Sequence, residues 1–489
     1  MNAEEFLHRH GLAMNPFAAE DAMQDAVLAR TADTWRHPDF AKVLGDMKHP
    51  SPAVVFGQRG AGKTALRLQM EHALAAWNQQ RHGSRVAVIP HDAFDTMLLS
   101  IARHDGLRDS AAALDGLRLS DHMDAMLHRI VPQVVDQVLG RPNAMVLVAG
   151  NLRRVMRRAS PGVRRDLLLL QVAYDSPSAS GRRSRRLRRA LRCSGSSGAT
   201  LAGVWSVLFL GVAAALGLMG AGQPPVVSYL IPAAVFALAG ALTGWVWTIR
   251  KARVALIARR MSKSIRISQR EGSSCRESLH QLPMEVLENN LPQDRNEDSR
   301  FTMFDRLSRV LAVAEYGSIS IFVDRVDEPT CVAGDPQRMQ KLVWPLLSSR
   351  FLQHQGLAVK LLLPKELGDL ASRADHDFHR GARLDKHNLI DRLQWTGAML
   401  VEVCDARLQA AMKPGARAIK IEDLFDEAVG RAKLADAMER CGTPREACRL
   451  MYGAMQEHLS HAGADEHRIS FGALEWVRRR TTDAKIGSF

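Results

Sequence analysis

From Cys193 to Ile249 the chain carries no Asp, Glu, Lys or Arg. Two apolar spans lie inside this run, Thr200–Met219 (TLAGVWSVLFLGVAAALGLM, 20 residues) and Val226–Ile249 (VVSYLIPAAVFALAGALTGWVWTI, 24 residues). A helix rises about 1.5 Å per residue, so each span is long enough for a hydrocarbon core about 30 Å thick. The link Gly220–Pro225 (GAGQPP) reads as a Gly/Pro turn, which predicts a helical hairpin. Pro232 is tolerated in a membrane helix, where neighbouring groups satisfy the freed carbonyl. Trp205, Trp245 and Trp247 lie near the outer ends of the spans, where aromatic belts form.

Basic residues bracket the hairpin. Arg182–Cys193 holds seven arginines and Arg250–Arg270 eight lysines and arginines, with no acid in either. The tip has no basic residue, so the positive-inside rule puts both ends of the chain in the cytoplasm and the tip outside. The other reading, a buried core hairpin of a soluble protein, leaves those flanking charges unexplained. The net charge is +14, from 66 basic and 52 acidic residues. Removing the fifteen flanking charges leaves 51 basic against 52 acidic, so the excess belongs to two short segments. That distribution fits a lipid bilayer as partner and disfavours a general nucleic-acid surface.

Six scattered cysteines have no CxxC spacing, and the N-terminus lacks an apolar signal-peptide core, which points to a reducing cytoplasm. There is no HExxH, and His376 and His379 in DHDFHR read as a solvated loop rather than a metal site.

Ala53–Phe56 (AVVF), Arg85–Ile89, Ser318–Val323 and Leu357–Leu363 read as buried strands; Lys63 to about Trp77, residues 119–139 and Arg300–Ala314 read as helices. A short helix is expected around Asp39–Met47, and Asn143–Gly150 fits a strand or a helix start. Residues 151–192 and 250–270 read as basic helices, 271–300 as a polar linker, and the chain from about 390 as helical.

Gly57–Thr64 reads GQRGAGKT, the pattern GxxxxGK[ST], between an apolar strand and an amphipathic helix. In that setting the backbone of Gly57, Gln58, Arg59, Gly60, Ala61 and Gly62 wraps phosphates at a helix N-terminus. Lys63 then reaches the β/γ-phosphates and Thr64 holds Mg²⁺, so the expected cofactors are ATP and Mg²⁺. Ile319–Glu328 (ISIFVDRVDE) brings Asp324 to the end of a strand expected beside the first, the position of a second metal carboxylate. Asp327 and Glu328 follow on the emerging loop. Glu328 is the preferred residue for orienting the attacking water, with Asp327 next; a helix cap is the other reading of both.

Between Thr64 and Asp324 lie 259 residues. This arrangement resembles the KAP-type P-loop NTPases, a STAND-related group in which membrane helices interrupt the nucleotide domain between its two Walker motifs. The resemblance rests on GQRGAGKT, ISIFVDRVDE and the hairpin between them. The family's second motif has paired aspartates followed by Leu-Asp-Arg; here the order is Asp324-Arg325-Val326-Asp327-Glu328, closer to other STAND proteins. Asn388–Leu408 (NLIDRLQWTGAMLVEVCDARL) is similar to the Trp-Thr/Ser element of bacterial STAND and origin-recognition-like AAA ATPases. Gly442–Arg445 (GTPR) is similar to the start of their lid helix, where an arginine senses the γ-phosphate; Arg445 matches it, beside Thr443. The other reading of this segment is a helix N-terminal turn with Thr443 as cap and Pro444 first. Lys365 falls in the sensor-1 region, and Arg325, Arg350 and Arg392 are open as arginine fingers.

The resemblance implies an α/β P-loop NTPase core of AAA/STAND type with a C-terminal helical lid, interrupted by a helical insertion containing a two-helix transmembrane hairpin. The expected division is an N-terminal segment 1–50, the first core part 51–100, a basic helical insertion 101–199 and the hairpin 200–249. A basic helix and linker 250–300, the second core part 301–370 and the lid 371–489 follow. It further implies a multi-pass protein of the bacterial inner membrane with its ATPase domain in the cytoplasm. The expected function is an ATP-dependent switch or motor, with bacterial signalling or antiphage defence as roles by analogy. One alternative is a nucleotide-gated membrane scaffold or effector with little hydrolysis, whose hairpin oligomerises. For it Gly203, Gly211, Gly217 and Gly240-x-x-x-Gly244 offer close helix approach. Another is a DNA-acting AAA-type ATPase. A homo-oligomer or a protein partner is expected in either of the first two cases.

Overall fold

The computed structural model describes residues 3–31, 34–80, 83–141, 152–176, 181–193, 198–220, 227–268, 272–288, 290–461 and 467–486. Asn143–Gly150 and all of the Gly220–Pro225 link except Gly220 lie outside these residues. The chain forms two compact units, one of Met1–Phe94 with Ser318–Phe489, the other of Asp95–Gly317. The helix Glu297–Val313 therefore belongs to the inserted unit, not to the second part of the core as the sequence suggests.

The first unit is built on five strands: β1 (Ala53–Gly57), β2 (Arg85–His91), β3 (Tyr316–Val323), β4 (Leu357–Pro364) and β5 (Asn388–Ile390). They form one sheet in the order β2-β3-β4-β1-β5, with β3–β4, β4–β1 and β1–β5 parallel. Every residue of β1 and β4 is buried, as both faces of a parallel sheet require. Two expectations change here. β4 lies between β1 and β3, so the strand leading to Asp324 is next but one to β1 rather than its neighbour. β5 has no counterpart among the expected strands; three residues are too few to show a period of two.

Lys360 stands in the middle of β4 with 1% exposure. Its ammonium donates to the carbonyls of Val43 (2.6 Å), Leu44 (3.0 Å) and Ser51 (2.6 Å), fastening the segment before β1 to the sheet. Val43 and Leu44 end the short helix Phe40–Leu44, which falls where the sequence places one.

The C-terminal helices Gly397–Ala411, Arg431–Glu439, Pro444–His461 and Phe471–Ile486 enclose a second core, which also holds Phe6, Leu12, Phe17 and Val27. The N-terminal residues are thus part of the C-terminal helical layer. Arg407 secures them, donating to the Pro16 carbonyl (2.7 Å) and pairing with Asp25 (2.7 Å). His376 and His379 lie on a helix, His376–Ala382, started by the Asp375 side chain, and not on a loop.

In the inserted unit, Leu119–Leu139, Pro161–Tyr174 and Glu297–Val313 pack around buried charge. Arg300 donates to both oxygens of Asp124 (3.1 and 3.0 Å), which also accepts from the Tyr174 hydroxyl (2.8 Å). Arg300 donates further to Ser264 Oγ (2.8 Å), and Arg266 pairs with Asp121 and Asp105. The stretch read as a polar linker contains two helices, Gly272–Leu279 and Met284–Leu287, whose Leu279 and Leu287 are fully buried.

Gly198–Gly220 and Val227–Ser264 are the hairpin helices, both long and apolar enough to cross a membrane, with 6% of each apolar window buried. The second runs without a break into the basic segment; 38 residues give a rod about 57 Å long. Its Gly240-x-x-x-Gly244 faces the other arm of its own hairpin. Ser206 Oγ donates to the Gly240 carbonyl (2.8 Å), and a Cβ on Gly240 would stand 2.8 Å from Leu210 Cγ. Gly211 and Gly217 face open space.

Burial pushes the Lys360 ammonium down to about 7. Lys360→Met, which leaves three buried carbonyls without their donor, should cost about 1–3 kcal/mol of stability. The unfolded chain holds this proton up to its ordinary value near 10.5 while the folded chain releases it near 7. The folded-state value is the lower one, so the unfolded chain binds more protons between the two and the lysine's own contribution to stability rises with pH there. Wild-type stability relative to Lys360→Met should therefore rise between pH 7 and pH 9, a window inside those two values. Thermal unfolding in detergent at the two pH values checks both statements.

Candidate functional site

The loop Gly57–Gly62 leaves the end of β1 and enters the helix Lys63–Gln80. Gly60 and Gly62 have φ of 84° and 87°, a region open to glycine at little cost. At Gly60 the space is also closed: a Cβ there would lie 3.0 Å from Arg445 Cβ. The C-terminal helical layer holds the loop from outside. Trp395 Nε1 donates to the Ala61 carbonyl (2.9 Å), Gln58 Nε2 to the Gly442 carbonyl (3.2 Å), and the Arg445 amide to the Gly60 carbonyl (3.4 Å). Lys63 Nζ donates to the carbonyls of Gly57 (2.8 Å) and Gln58 (3.2 Å). Burial holds its ammonium below the ordinary value, opposed by the charges of Asp327, Asp324 and Glu366.

Asp324 follows β3 and is 1% exposed. Burial raises its carboxyl above the ordinary range; the charge of Arg67, the nearby Thr64 hydroxyl and the Arg325 amide oppose the rise. Its Oδ2 has no hydrogen-bond partner. A buried carboxylate oxygen left unbonded beside a threonine hydroxyl fits a hard divalent cation, which takes oxygen ligands and keeps several waters. Thr64 and Asp324 are the residues that would hold it.

Arg67, one turn beyond Lys63 and 1% exposed, occupies the centre of this charge cluster. Its Nη1 is 2.8 Å from Asp92 Oδ2 and 3.7 Å from Asp324 Oδ2, and its Nε is 3.5 Å from Glu71 Oε1. Burial raises the Glu71 carboxyl, with Arg67 opposing. Sequence reasoning missed Arg67, Glu71 and Asp92. The available signals were the i, i+4 spacing of Arg67 from Lys63 and the acid in PHDAFD just past β2.

Asp327 and Glu328 both line the cleft. Asp327 is the strongest of the acids acting on Lys63, whereas Glu328 is half exposed and paired with Arg325 at 2.5 Å. Arg325 takes φ of 60°, uncommon for a side-chain-bearing residue, and this turns the chain sharply after Asp324. Glu366, not Lys365, lines the cleft past β4. Arg59 and Arg445 line it as well; Arg350 and Arg392 do not. Gly442–Arg445 forms the helix N-terminal turn of one reading: Thr443 Oγ1 accepts from the Glu446 amide (3.3 Å) at the start of the Pro444–His461 helix, and Arg445 in its first turn lies beside the Gly57–Gly62 loop.

The cleft as a whole has a volume of about 200 Å³. Its walls include Leu28 and Trp35 from the N-terminal segment and Trp395 and Ala406 from the C-terminal one. The Trp35 and Trp395 rings stack at 5.3 Å. An aromatic wall beside a glycine-bent loop at a helix N-terminus can desolvate a flat group and receive an anion.

Comparison of the chain with protein-family models, curated proteins and solved structures finds no match.

Arg67→Met leaves Asp324, Asp92 and Glu71 facing one another in a buried site and should destabilise the protein by about 3–5 kcal/mol. Adding Asp324→Asn should recover part of that loss, which neither substitution alone predicts. Unfolding midpoints of the two single variants and the double variant measure the coupling; simple additivity would refute it.

Proposed function

We propose that this protein is a membrane-anchored P-loop ATPase, its nucleotide unit interrupted by the unit that carries the hairpin. One observation carries the reading. Thr64, at the start of a helix behind a glycine-bent loop, lines the same cleft as Asp324, a buried carboxylate just past β3 with 259 residues between them. The two motifs are otherwise unrelated in the chain, and their meeting is what Mg²⁺-nucleotide binding requires.

In this reading the amides of Gly57–Gly62 and the Lys63 ammonium hold the phosphates, which replace the Gly57 and Gln58 carbonyls now on Lys63. Thr64 and Asp324 hold Mg²⁺. The charge of Arg67 favours the ionised form of Asp324. Asp327 faces Lys63 while Glu328 is occupied by Arg325, so the geometry moves the preference for water orientation from Glu328 to Asp327. Arg445 reaches the loop from the lid helix and reports the nucleotide's state to the C-terminal helices. The hairpin crosses the bacterial inner membrane twice and keeps the ATPase unit in the cytoplasm. The inward-facing Gly240 and Gly244 give the oligomerising-hairpin alternative no support.

Lys63→Ala should weaken ATP binding roughly tenfold or more, since a tenfold change corresponds to only about 1.4 kcal/mol. Asp327→Asn should keep binding and slow turnover more than Glu328→Gln does. Fluorescent-nucleotide titration and phosphate release read these separately. Normal turnover in Asp327→Asn with a dead Glu328→Gln would return the role to Glu328.

Topology has its own test. In a background without other cysteines, an impermeant thiol reagent on intact cells should label Gly222→Cys in the tip and spare the exposed Ser262→Cys at the far end of the second helix. Labelling at 262, or release of the protein by high salt, would sink the membrane reading.

A further inference from the structure

Three helices of the inserted unit bring unpaired arginines to one point. Arg153 and Arg157 come from Leu152–Arg158, Arg164 from Pro161–Tyr174, and Arg188 from Gly181–Ala190, with Arg192 just past that helix. Arg157 Nε donates to the Ala190 carbonyl (2.8 Å) and Arg164 Nη1 to the Leu191 carbonyl (3.1 Å), so both are pinned to the last turn of the Gly181–Ala190 helix. Arg164 Nε is buried without a hydrogen-bond partner. The Cys193 amide closes the turn by donating to the Arg188 carbonyl (3.1 Å), and this puts Arg192 at φ of 53°, where glycine is usual. Desolvation and then the charges of Arg153 and Arg192 hold the Arg157 guanidinium below its ordinary value. None of the five is paired with a carboxylate among the described residues.

The contrast within the unit is sharp. Arg183, Arg266, Arg300 and Arg309 each have an aspartate at 3.0 Å or closer. Like charges gathered by helix packing, two of them locked in place and one in a strained backbone, call for an anion from outside the chain. The cluster lies just ahead of the first apolar helix, which begins at Gly198. A guanidinium fork matches a phosphate oxygen pair, and at this depth the abundant phosphate is that of a lipid.

We propose that Arg153, Arg157, Arg164, Arg188 and Arg192 form a binding site for the phosphodiester headgroup of an anionic phospholipid. This rests on the membrane reading of the hairpin and adds a defined headgroup site to it. The site recognises phosphate by convergent donors, so it discriminates among lipids more than the diffuse charge along the Val227–Ser264 helix does.

The test uses the full-length protein in phosphatidylcholine vesicles containing phosphatidylglycerol. Spin-labelled phosphatidylglycerol and phosphatidylcholine report lipid immobilised at the protein. The wild type should immobilise phosphatidylglycerol with a several-fold preference. Arg157→Gln/Arg164→Gln/Arg192→Gln should lose that preference, while Arg259→Gln/Arg260→Gln/Lys263→Gln, equal in charge and exposed, should keep it. Arg153→Gln/Arg192→Gln removes two guanidiniums that anchor no backbone carbonyl; it should lose part of the preference and guards against a folding defect in the triple variant. Equal loss in both triple variants would overturn the site in favour of diffuse charge. Displacement of the lipid by inorganic phosphate alone would reassign it to a free anion, and salt-dependent RNA binding lost in the same variants would reassign it to nucleic acid. Protein that leaves the vesicles on alkaline washing would instead refute the hairpin reading, and the headgroup site with it.

Discussion

The parallel pairing of β1 with β4 is the contact on which the rest of the sheet-containing unit depends. Ala53–Gly57 and Lys360–Pro364 run side by side although some three hundred residues separate them. Parallel neighbours need a crossover, ordinarily a dozen residues and a helix. Here the crossover contains a second folded unit, Asp95–Gly317. Because β2 and β3 are also in the sheet, the insertion must start just after β2 and end at β3, and it does. A hairpin that enters a membrane inside such a crossover has to return to the side it left, so an even number of crossings is required. Two helices of sufficient length are present.

Buried charge is organised differently in the two units. In the sheet-containing unit one guanidinium, Arg67, serves Asp92, Asp324 and Glu71, and Asp324 Oδ2 stays unbonded. That unbonded oxygen suits a site that takes up a cation. In the inserted unit Arg300 pairs with Asp124, and Arg266 with Asp121 and the less buried Asp105, and both guanidiniums are bonded to further carbonyls or hydroxyls. Buried pairs add little net stability over apolar packing but penalise any other alignment of the helices.

Much of this was legible in the sequence. GQRGAGKT, the strand leading to Asp324 and the uncharged hairpin are local patterns, each spelled by adjacent residues, and the elements fall where those patterns place them. What was not legible depends on neighbours distant in the chain. The order of the sheet places β4 between β1 and β3, and nothing local to any strand encodes that. Arg67 looks like an ordinary helix-surface residue until Asp92 and Asp324 arrive from β2 and β3. Phe6, Leu12 and Phe17 give no hint that their core is formed by helices four hundred residues away. Gly272–Leu287 reads as polar because glycine, serines and Pro283 punctuate it, although Cys275, Leu279, Leu282 and Val286, all buried, follow a helical spacing.

The last link is covalent. Arg300 fixes the helix Glu297–Val313 to Asp124 and to Ser264, where the long apolar helix ends. Only Ala314 and Glu315 separate Val313 from β3, and Glu315 sits at φ of 68°, a tight reversal rather than a slack tether. β3 in turn ends one residue before Asp324. The clamp is made of fully buried, bidentate hydrogen bonds, which break rather than stretch. The clamp thus favours a small number of discrete positions of this helix within its own unit over gradual movement.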